Sequence, residues 1–130
     1  MNQITETIFF KSAAHKTRLL EAMRRTGKID GGKFDQEYGA AMYILTADTS
    51  TWEKARDYVS SSGILFEEML QELDWSGGYG VLIKWAANLF NEHAANINPV
   101  ELMRLDENNF RVALSALVVR KYSLRVDDFK

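Results

Sequence analysis

The stretch FDQEYGAAMYIL, which spans residues 34–45, carries the strongest fold signal in the sequence. Five apolar residues recur along it at helical spacings: Phe34, Tyr38, Ala41, Met42 and Leu45. They form one stripe with the 3.6-residue period of an α-helix, so the stretch predicts a helix that buries this face. The small residues Gly39 and Ala40 would let a neighbouring element approach its backbone closely.

Helix signals continue on both sides of this stretch. A first helix is predicted from about Ser12 to Arg25, because Ser12 is a typical N-cap residue and Gly27 a typical helix end. A third helix is predicted to start at Ser50, which forms the S-x-x-E pattern of a capping box with Glu53.

Four further helices are predicted in the second half of the chain. The fourth is short, with apolar residues at helical spacing: Phe66, Met69, Leu70 and Leu73. The fifth starts after Ser76–Gly78 and has one broad apolar face: Leu82, Trp85, Ala86, Leu89 and His93. Asn98 and Pro99 are typical of the start of a sixth. Asp106 is expected to cap a seventh, with this buried stripe: Phe110, Ala113, Leu114, Leu117 and Val118.

Both ends of the chain break the helical period. Residues 4–9 and 122–127 alternate apolar and polar side chains, so we expect both termini to be extended and to pair with each other. Ser60–Gly63 consists of turn residues and is interpreted as a linker. The sequence therefore predicts an all-α fold: a compact bundle of about seven short helices with short extended termini, in one domain that spans residues 1–130.

The composition excludes several classes of site. The chain of 130 residues contains no cysteine, which rules out disulfides, thiolate metal sites and a cysteine nucleophile, and which fits a reducing compartment. No segment approaches the roughly 18 apolar residues of a membrane span, and the N-terminus lacks the pattern of a signal peptide. We therefore expect a soluble, cytoplasmic protein without membrane contact.

Charge is distributed unevenly, although the net charge is only −2. Residues 1–33 carry +4, residues 34–110 carry −9 and residues 111–130 carry +3. One interpretation is that the basic ends pack against the acidic middle and neutralise it. The other is a basic surface for nucleic acid, formed by six residues where the ends meet: Lys16, Arg24, Arg25, Arg120, Lys121 and Arg125.

The two histidines lack the sequence neighbours of a metal or catalytic site. Neither follows a glutamate at a distance of three residues, and no HExxH motif occurs. His15 is expected to be exposed, and His93 to end the apolar face of the fifth helix and bond its last carbonyls. Glu68 and Glu72 have the spacing of a cation-binding pair but are expected to face water. We therefore predict no metal, no cofactor and no catalytic residue.

The turn WSGGYG at residues 75–80 has two interpretations. Trp75 and Tyr79 belong to no helical stripe, so they either cap the end of the core or form an exposed anchor, since Trp and Tyr dominate binding hot spots. The glycines are a flexible start for the next helix, and an anion pocket that includes Lys84 is the less favoured alternative. For protein binding, the predicted contact residues are Trp75, Gly77, Gly78 and Tyr79.

Three stretches resemble, in order and spacing, a family of small bacterial helical proteins of uncharacterised function. They are YILTAD at residues 43–48, KWAANLFN at residues 84–91 and LDENNF at residues 105–110, which runs into Ala113 and Leu114. The resemblance covers most of the chain and implies an all-helical fold and a bacterial or phage origin. The matched positions are core and capping patterns, and no functional residue is carried over because the function of that family is uncharacterised.

Two function hypotheses from different classes follow. The first is a non-enzymatic helical protein-interaction module that binds a protein partner through the Trp75–Tyr79 turn or self-associates through its termini. The alternative is a small nucleic-acid-associated regulator that uses the six basic residues of the chain ends. An enzyme with a Glu/His site has the least support, because no catalytic motif is present.

Overall fold

The computed structural model describes residues 7–129, which form a mostly helical fold. Seven α-helices lie in this range: α1 (Ala13–Thr26), α2 (Gln36–Leu45), α3 (Thr49–Ala55), α4 (Phe66–Glu72), α5 (Gly78–Phe90), α6 (Pro99–Leu102) and α7 (Glu107–Tyr122). Two short antiparallel hairpins connect some of them: β1 (Ile29–Asp30) with β2 (Lys33–Phe34), and β3 (Val59–Ser60) with β4 (Gly63–Ile64). The predicted all-α class is confirmed.

Capping residues that were recognised in the sequence begin and end several helices. The Ser12 side chain accepts a hydrogen bond from the His15 N–H at the start of α1, and Gly27 ends the helix with a φ of 70°. Asn98 and Glu101 form a reciprocal capping box at α6. These bonds satisfy backbone groups that a helix end leaves without intrahelical partners.

The predicted start of α3 is wrong. The helix begins at Thr49 after Asp48, so Ser50 already lies inside the first turn. No side-chain hydrogen bond caps this helix, and the capping box of Ser50 with Glu53 does not form. The motif fails because a residue can act as an N-cap only where its own backbone is outside the helix.

The two hairpins were not predicted. Gly31 and Gly32 have φ angles of 57° and 77°, which suit the tight turn between β1 and β2. Phe34 therefore lies in β2 rather than at the start of a helix. Ser60–Gly63, predicted as a linker, forms the tip of the second hairpin, in which Ser60 pairs with Gly63.

α2 lies at the centre of the fold. Its residues from Tyr38 to Leu45 are all buried, and the helix packs against α1, α5 and α7. The buried stripe predicted for this region is confirmed: Phe34, Tyr38, Ala41, Met42 and Leu45. Because other elements cover it on several sides, α2 needs no polar face.

The buried side of α7 differs from the prediction. Of the predicted stripe only Ala113 is buried, while Leu114 and Leu117 are exposed and Phe110 and Val118 are half-buried. The buried residues of the helix are Asn109, Val112, Ala113, Ser115, Ala116 and Val119. The prediction was wrong because both sides of α7 carry apolar residues at helical spacing, and the sequence alone does not say which side faces the core.

The chain ends meet through side chains, and no strand pairing joins them among residues 7–129. Residues 4–6 of the predicted N-terminal strand lie outside the described range. The C-terminal segment instead pairs with the first hairpin, where Arg125 forms a β-bridge with Lys33. It ends in a 3₁₀ turn at Val126–Phe129, and the Phe129 ring centroid lies 6.0 Å from that of Phe10.

Candidate functional surfaces

The side of α7 that faces away from the core exposes two leucines near its middle, flanked by half-buried apolar residues. We define the outer face of α7 as six residues: Glu107, Phe110, Leu114, Leu117, Val118 and Lys121. At 3.6 residues per turn, all six fall within an arc of about 100° that includes Leu114 near its middle. Leu114 and Leu117 are each 49% exposed. The outer face is therefore an apolar row with an acidic residue at one end and a basic residue at the other.

The large residues of α7 lie outside because its inner side is in close contact with α2 and α5. Ala113 and Ala116 are buried on that side. A Cβ added at Gly39 of α2 would make ordinary van der Waals contact with Cγ1 of Val119, at 3.6 Å, so the α2 backbone lies close to this side of α7. Trp85 of α5 donates a hydrogen bond to the Ala113 carbonyl over 2.9 Å. Turning α7 to bury its leucines would force larger side chains into this contact.

Hydrogen bonds from the N-terminal segment also fix the orientation of α7. The Lys11 ammonium group donates to Oδ1 of Asn109 over 2.6 Å and to the Asp48 carboxylate over 2.8 Å. The Phe9 N–H donates to Oγ of Ser115 over 2.9 Å. None of these bonds uses a side chain of the outer face, so they set the direction of that face without covering it.

The two aromatic residues of the predicted binding turn, Trp75 and Tyr79, lie beside the same small cavity. Trp75 is half-buried, and its Nε1–H donates to the Met69 carbonyl over 3.2 Å. Tyr79 is also half-buried, with the Lys11 ammonium group 5.7 Å from its ring centroid. Both rings line a small cavity of about 80 Å³, together with Ser50, Thr51, Lys54 and Ser76. Each ring therefore has intramolecular contacts in addition to an exposed portion.

The two predicted glycines of this turn have backbone and packing roles. Gly77 has a φ of 54°, in the left-handed region that favours glycine, directly before α5. A Cβ added at Gly78 would lie 2.8 Å from Cδ2 of Leu105, so the missing side chain allows close packing against the segment before α7. The turn thus contributes to folding, and its use as a partner site stays a prediction.

The six basic residues predicted for nucleic acid lie on three parts of the fold. They are Lys16, Arg24 and Arg25 on α1, Arg120 and Lys121 in the last turn of α7, and Arg125 beside β2. Arg120 donates to the Leu89 carbonyl at the end of α5, over 2.8 Å. Arg125 donates to the Gly31 carbonyl, over 3.3 Å. These two arginines therefore stabilise neighbouring backbone groups, and their use in nucleic-acid binding stays a prediction.

A basic cleft that the sequence did not indicate lies between α1 and α3. It has a volume of about 170 Å³ and is lined by Arg18, Glu21, Ala22, Arg25, Trp52 and Arg56. The Arg25 guanidinium lies 5.7 Å from the Trp52 ring centroid. Trp52 itself is half-buried. No local pattern predicts this cleft, because its residues come from two separate helices.

Both histidines occupy environments opposite to those predicted. His15 is fully buried beneath Phe10, with Nε2 2.8 Å from the Tyr43 carbonyl and Nδ1 accepting a bond from the Lys11 N–H. Burial lowers the pKa of His15 from 6.5 to about 4, and the hydrogen bond with the Tyr43 carbonyl opposes this shift. His93 lies beyond the end of α5, and its side chain is 86% exposed. The first prediction failed because the irregular N-terminal segment covers α1, and the second because α5 is shorter than predicted.

The acidic residues of α4 do not form part of a larger ligand group. Glu72 is exposed and Glu68 is half-buried on that helix. Within residues 7–129, no three His, Asp or Glu side chains lie together in a group that could hold a metal ion. None of the helices in this range is both long enough and apolar enough to cross a membrane.

Comparisons with protein-family models, with curated proteins and with solved structures find no match to this chain. The resemblance to small bacterial helical proteins therefore stays a prediction from the sequence. The outer face of α7 and the cleft around Trp52 are two surfaces that the sequence did not indicate.

Proposed function

We propose that the protein is a non-enzymatic, helical protein-interaction module that acts in the bacterial cytoplasm and binds its partner through the outer face of α7. The observation that carries this proposal is the 49% exposure of both Leu114 and Leu117 on a helix whose inner side is made of smaller residues. Single exposed apolar residues are ordinary, whereas a row of them on one face often marks a docking site. The absence of cysteine fits a reducing compartment.

The spacing of the row suits recognition by another protein. Phe110, Leu114 and Leu117 stand at positions i, i+4 and i+7, which is the spacing of apolar anchors when a helix packs into a groove or against another helix. Covering the exposed half of each leucine contributes about 1 kcal/mol. The interaction is therefore expected to be modest in strength and to use the flanking residues as well.

The chemistry of the histidines also favours a binding role over an enzymatic one. Both ring nitrogens of His15 are engaged with backbone groups in the interior. His93 is exposed and contacts Glu92 over 3.7 Å. Neither arrangement places an imidazole beside a nucleophile, which is what activation by a general base requires.

Capture from a nuclease-treated lysate of the host tests the proposal. The bait is the tagged protein, compared with Leu114→Glu and with the matched control Leu65→Glu, since Leu65 is also an exposed leucine at 54%. We expect the wild type and Leu65→Glu to retain the same stoichiometric polypeptide and Leu114→Glu to lose it. The proposal is wrong if Leu114→Glu retains that polypeptide, or if the wild type retains none and also does not associate with itself.

A nucleic-acid-associated regulator is the second candidate function, and the cleft around Trp52 is the observation that favours it. An exposed base can stack on a tryptophan ring while arginines contact the phosphates. Arg25 and Arg56 line the cleft with Glu21 as the acidic residue among them, whereas the Arg18 guanidinium already donates to the Thr46 and Ala47 carbonyls. Of the six basic residues predicted to bind nucleic acid, this candidate uses only Arg25, together with residues outside that set.

Binding of a single-stranded RNA oligonucleotide tests this second candidate. Affinity should fall steeply between about 50 mM and about 200 mM salt, because phosphate contacts release counterions. Arg25→Ala should weaken binding, whereas Lys84→Ala, at an exposed lysine outside the cleft, should not. Absence of binding at the lower salt concentration would exclude this function.

A further inference from the structure

We infer that the partner of the outer face is a second copy of this chain, and that two α7 helices pack antiparallel across a two-fold axis at Leu114. The inference rests on the proposed function, because it names the partner of that same surface. It is carried by the positions of the charged and apolar residues relative to Leu114.

The charged ends of the outer face are equally distant from its centre. Glu107 lies seven residues before Leu114, and Lys121 lies seven residues after it. Each is therefore about 10 Å from Leu114 along the helix axis, and the three positions lie within about 40° around that axis. Both charged residues are exposed. A surface with this arrangement is complementary in charge to its own reversed copy.

This arrangement favours antiparallel over parallel pairing. In an antiparallel pair centred on Leu114, Glu107 of each copy lies opposite Lys121 of the other, so both ends attract. In a parallel pair Glu107 would lie opposite Glu107 and Lys121 opposite Lys121, so both ends would repel. The helix dipoles also attract in the antiparallel arrangement, because each N-terminus lies beside a C-terminus.

The same two-fold relation pairs the apolar residues. Leu114 meets Leu114 of the second copy at the axis, and Leu117 lies beside Phe110 of the second copy at nearly the same level. On the other side of the axis, Val118 lies beside Arg111 of the second copy, whose guanidinium lies 4.1 Å from the Phe9 ring centroid of its own chain. The outer face can therefore contact its own copy along its whole length, as an isologous interface requires.

The size of the face determines the expected strength. α7 has 16 residues and is therefore about 24 Å long. One helix face of this length offers less than the roughly 800 Å² per partner that a standard interface buries. We therefore expect a weak dimer in equilibrium with the monomer at ordinary concentrations.

Sedimentation equilibrium of the purified protein over a concentration series tests the inference. The wild type should show a reversible monomer–dimer equilibrium. Leu114→Glu would place two carboxylates opposite each other at the axis and should raise the dissociation constant about 100-fold. The matched control Leu65→Glu should leave the dissociation constant unchanged.

Charge exchange distinguishes antiparallel from parallel pairing. Glu107→Lys or Lys121→Glu alone replaces attraction by repulsion at both ends of an antiparallel pair, and each should weaken dimerisation about tenfold. The double variant and an equimolar mixture of the two single variants should both restore it. A parallel pair would not be weakened by the single changes, because its facing ends already repel.

The outcomes separate this inference from the proposed function. A wild type that stays monomeric up to its highest attainable concentration overturns the inference, as does a dimer that survives Leu114→Glu. The proposed function still stands in the first case if Leu114→Glu abolishes capture of a different polypeptide from the lysate. Both fail if that variant changes neither dimerisation nor capture.

Discussion

α2 and α7 pack against each other, yet they use their apolar residues in different ways. All residues of α2 from Tyr38 to Leu45 are buried, whereas α7 buries one side and exposes Leu114 and Leu117 on the other. α2 has neighbouring helices on several sides, whereas α7 belongs to the outer layer. The apolar content of α2 is therefore explained by the fold alone.

The apolar content of α7 exceeds what its contact with α2 requires. Small or β-branched residues complete the inner side of the helix, including Ala113, Ala116 and Val119. Because Leu114 and Leu117 are each 49% exposed, we expect polar residues there to change the free energy of unfolding only slightly. Exposed leucines on α7 therefore indicate a binding surface, because the inner side of the helix already packs against α2 without them.

The largest expected effect is a loss of stability at acid pH, which arises from the buried His15 beside α2. His15 bonds to the Tyr43 carbonyl of α2, and burial lowers its pKa from 6.5 to about 4. The folded state therefore takes up a proton less readily than the unfolded state. The free energy of unfolding should be highest above about pH 6.5 and should fall by about 3 kcal/mol as the pH drops to about 4. Urea unfolding at a series of pH values measures this loss.

Two glutamine variants isolate the contribution of the buried imidazole. His15→Gln removes the titrating group and should reduce the acid-induced loss. His93→Gln is the matched control, because that side chain is 86% exposed, and it should retain the wild-type loss. If His15→Gln keeps the full pH dependence, other groups cause it and the role given to His15 is wrong.

An intermediate effect on the free energy of unfolding is expected when a substitution on the inner side of α7 is compared with one on its outer face. Ala116→Leu adds three carbons to the contact with α2 and should lower the free energy of unfolding by about 1–3 kcal/mol. Leu117→Ala on the outer face should change it by less than about 0.5 kcal/mol. Both are measured by urea unfolding of dilute protein, where dimerisation does not contribute. Equal losses would show that the outer face belongs to the core.

The smallest effect is expected at the aromatic turn before α5. Trp75→Phe keeps an aromatic ring but removes the hydrogen bond to the Met69 carbonyl, which should cost about 1 kcal/mol. Capture of the partner should be unaffected. Loss of capture without loss of stability would instead place the binding surface at this turn, as the sequence suggested.

The sequence predicts the parts of the fold that local rules determine. The stripe of Tyr38, Ala41, Met42 and Leu45 predicts that α2 is a helix with one buried face, whereas its burial on every side is seen only in the structure. Ser12 and Asn98 mark helix starts because capping depends on residues within one turn. The Ser60–Gly63 hairpin was missed because turn residues are equally common in linkers.

The candidate surfaces depend on contacts that no local pattern contains. α7 carries two apolar stripes, and only the close approach of Gly39 to Val119 shows which one faces inward. His15 is buried because Phe10 lies over it. Glu107 and Lys121 are equally spaced from Leu114 in the sequence. This spacing predicts charge pairing between two copies only when both side chains are known to face outward.

Site-specific disulfide formation tests most directly whether the outer face of α7 contacts a second copy. The protein contains no cysteine, so Leu114→Cys introduces a single thiol at the centre of that face. A disulfide requires the two Cα atoms to come within about 4.4–6.8 Å, which the proposed two-fold axis allows. Mild oxidation should give covalent dimers much faster for Leu114→Cys than for Leu65→Cys, and excess wild-type protein should slow the reaction. Equal rates for the two variants would contradict the account.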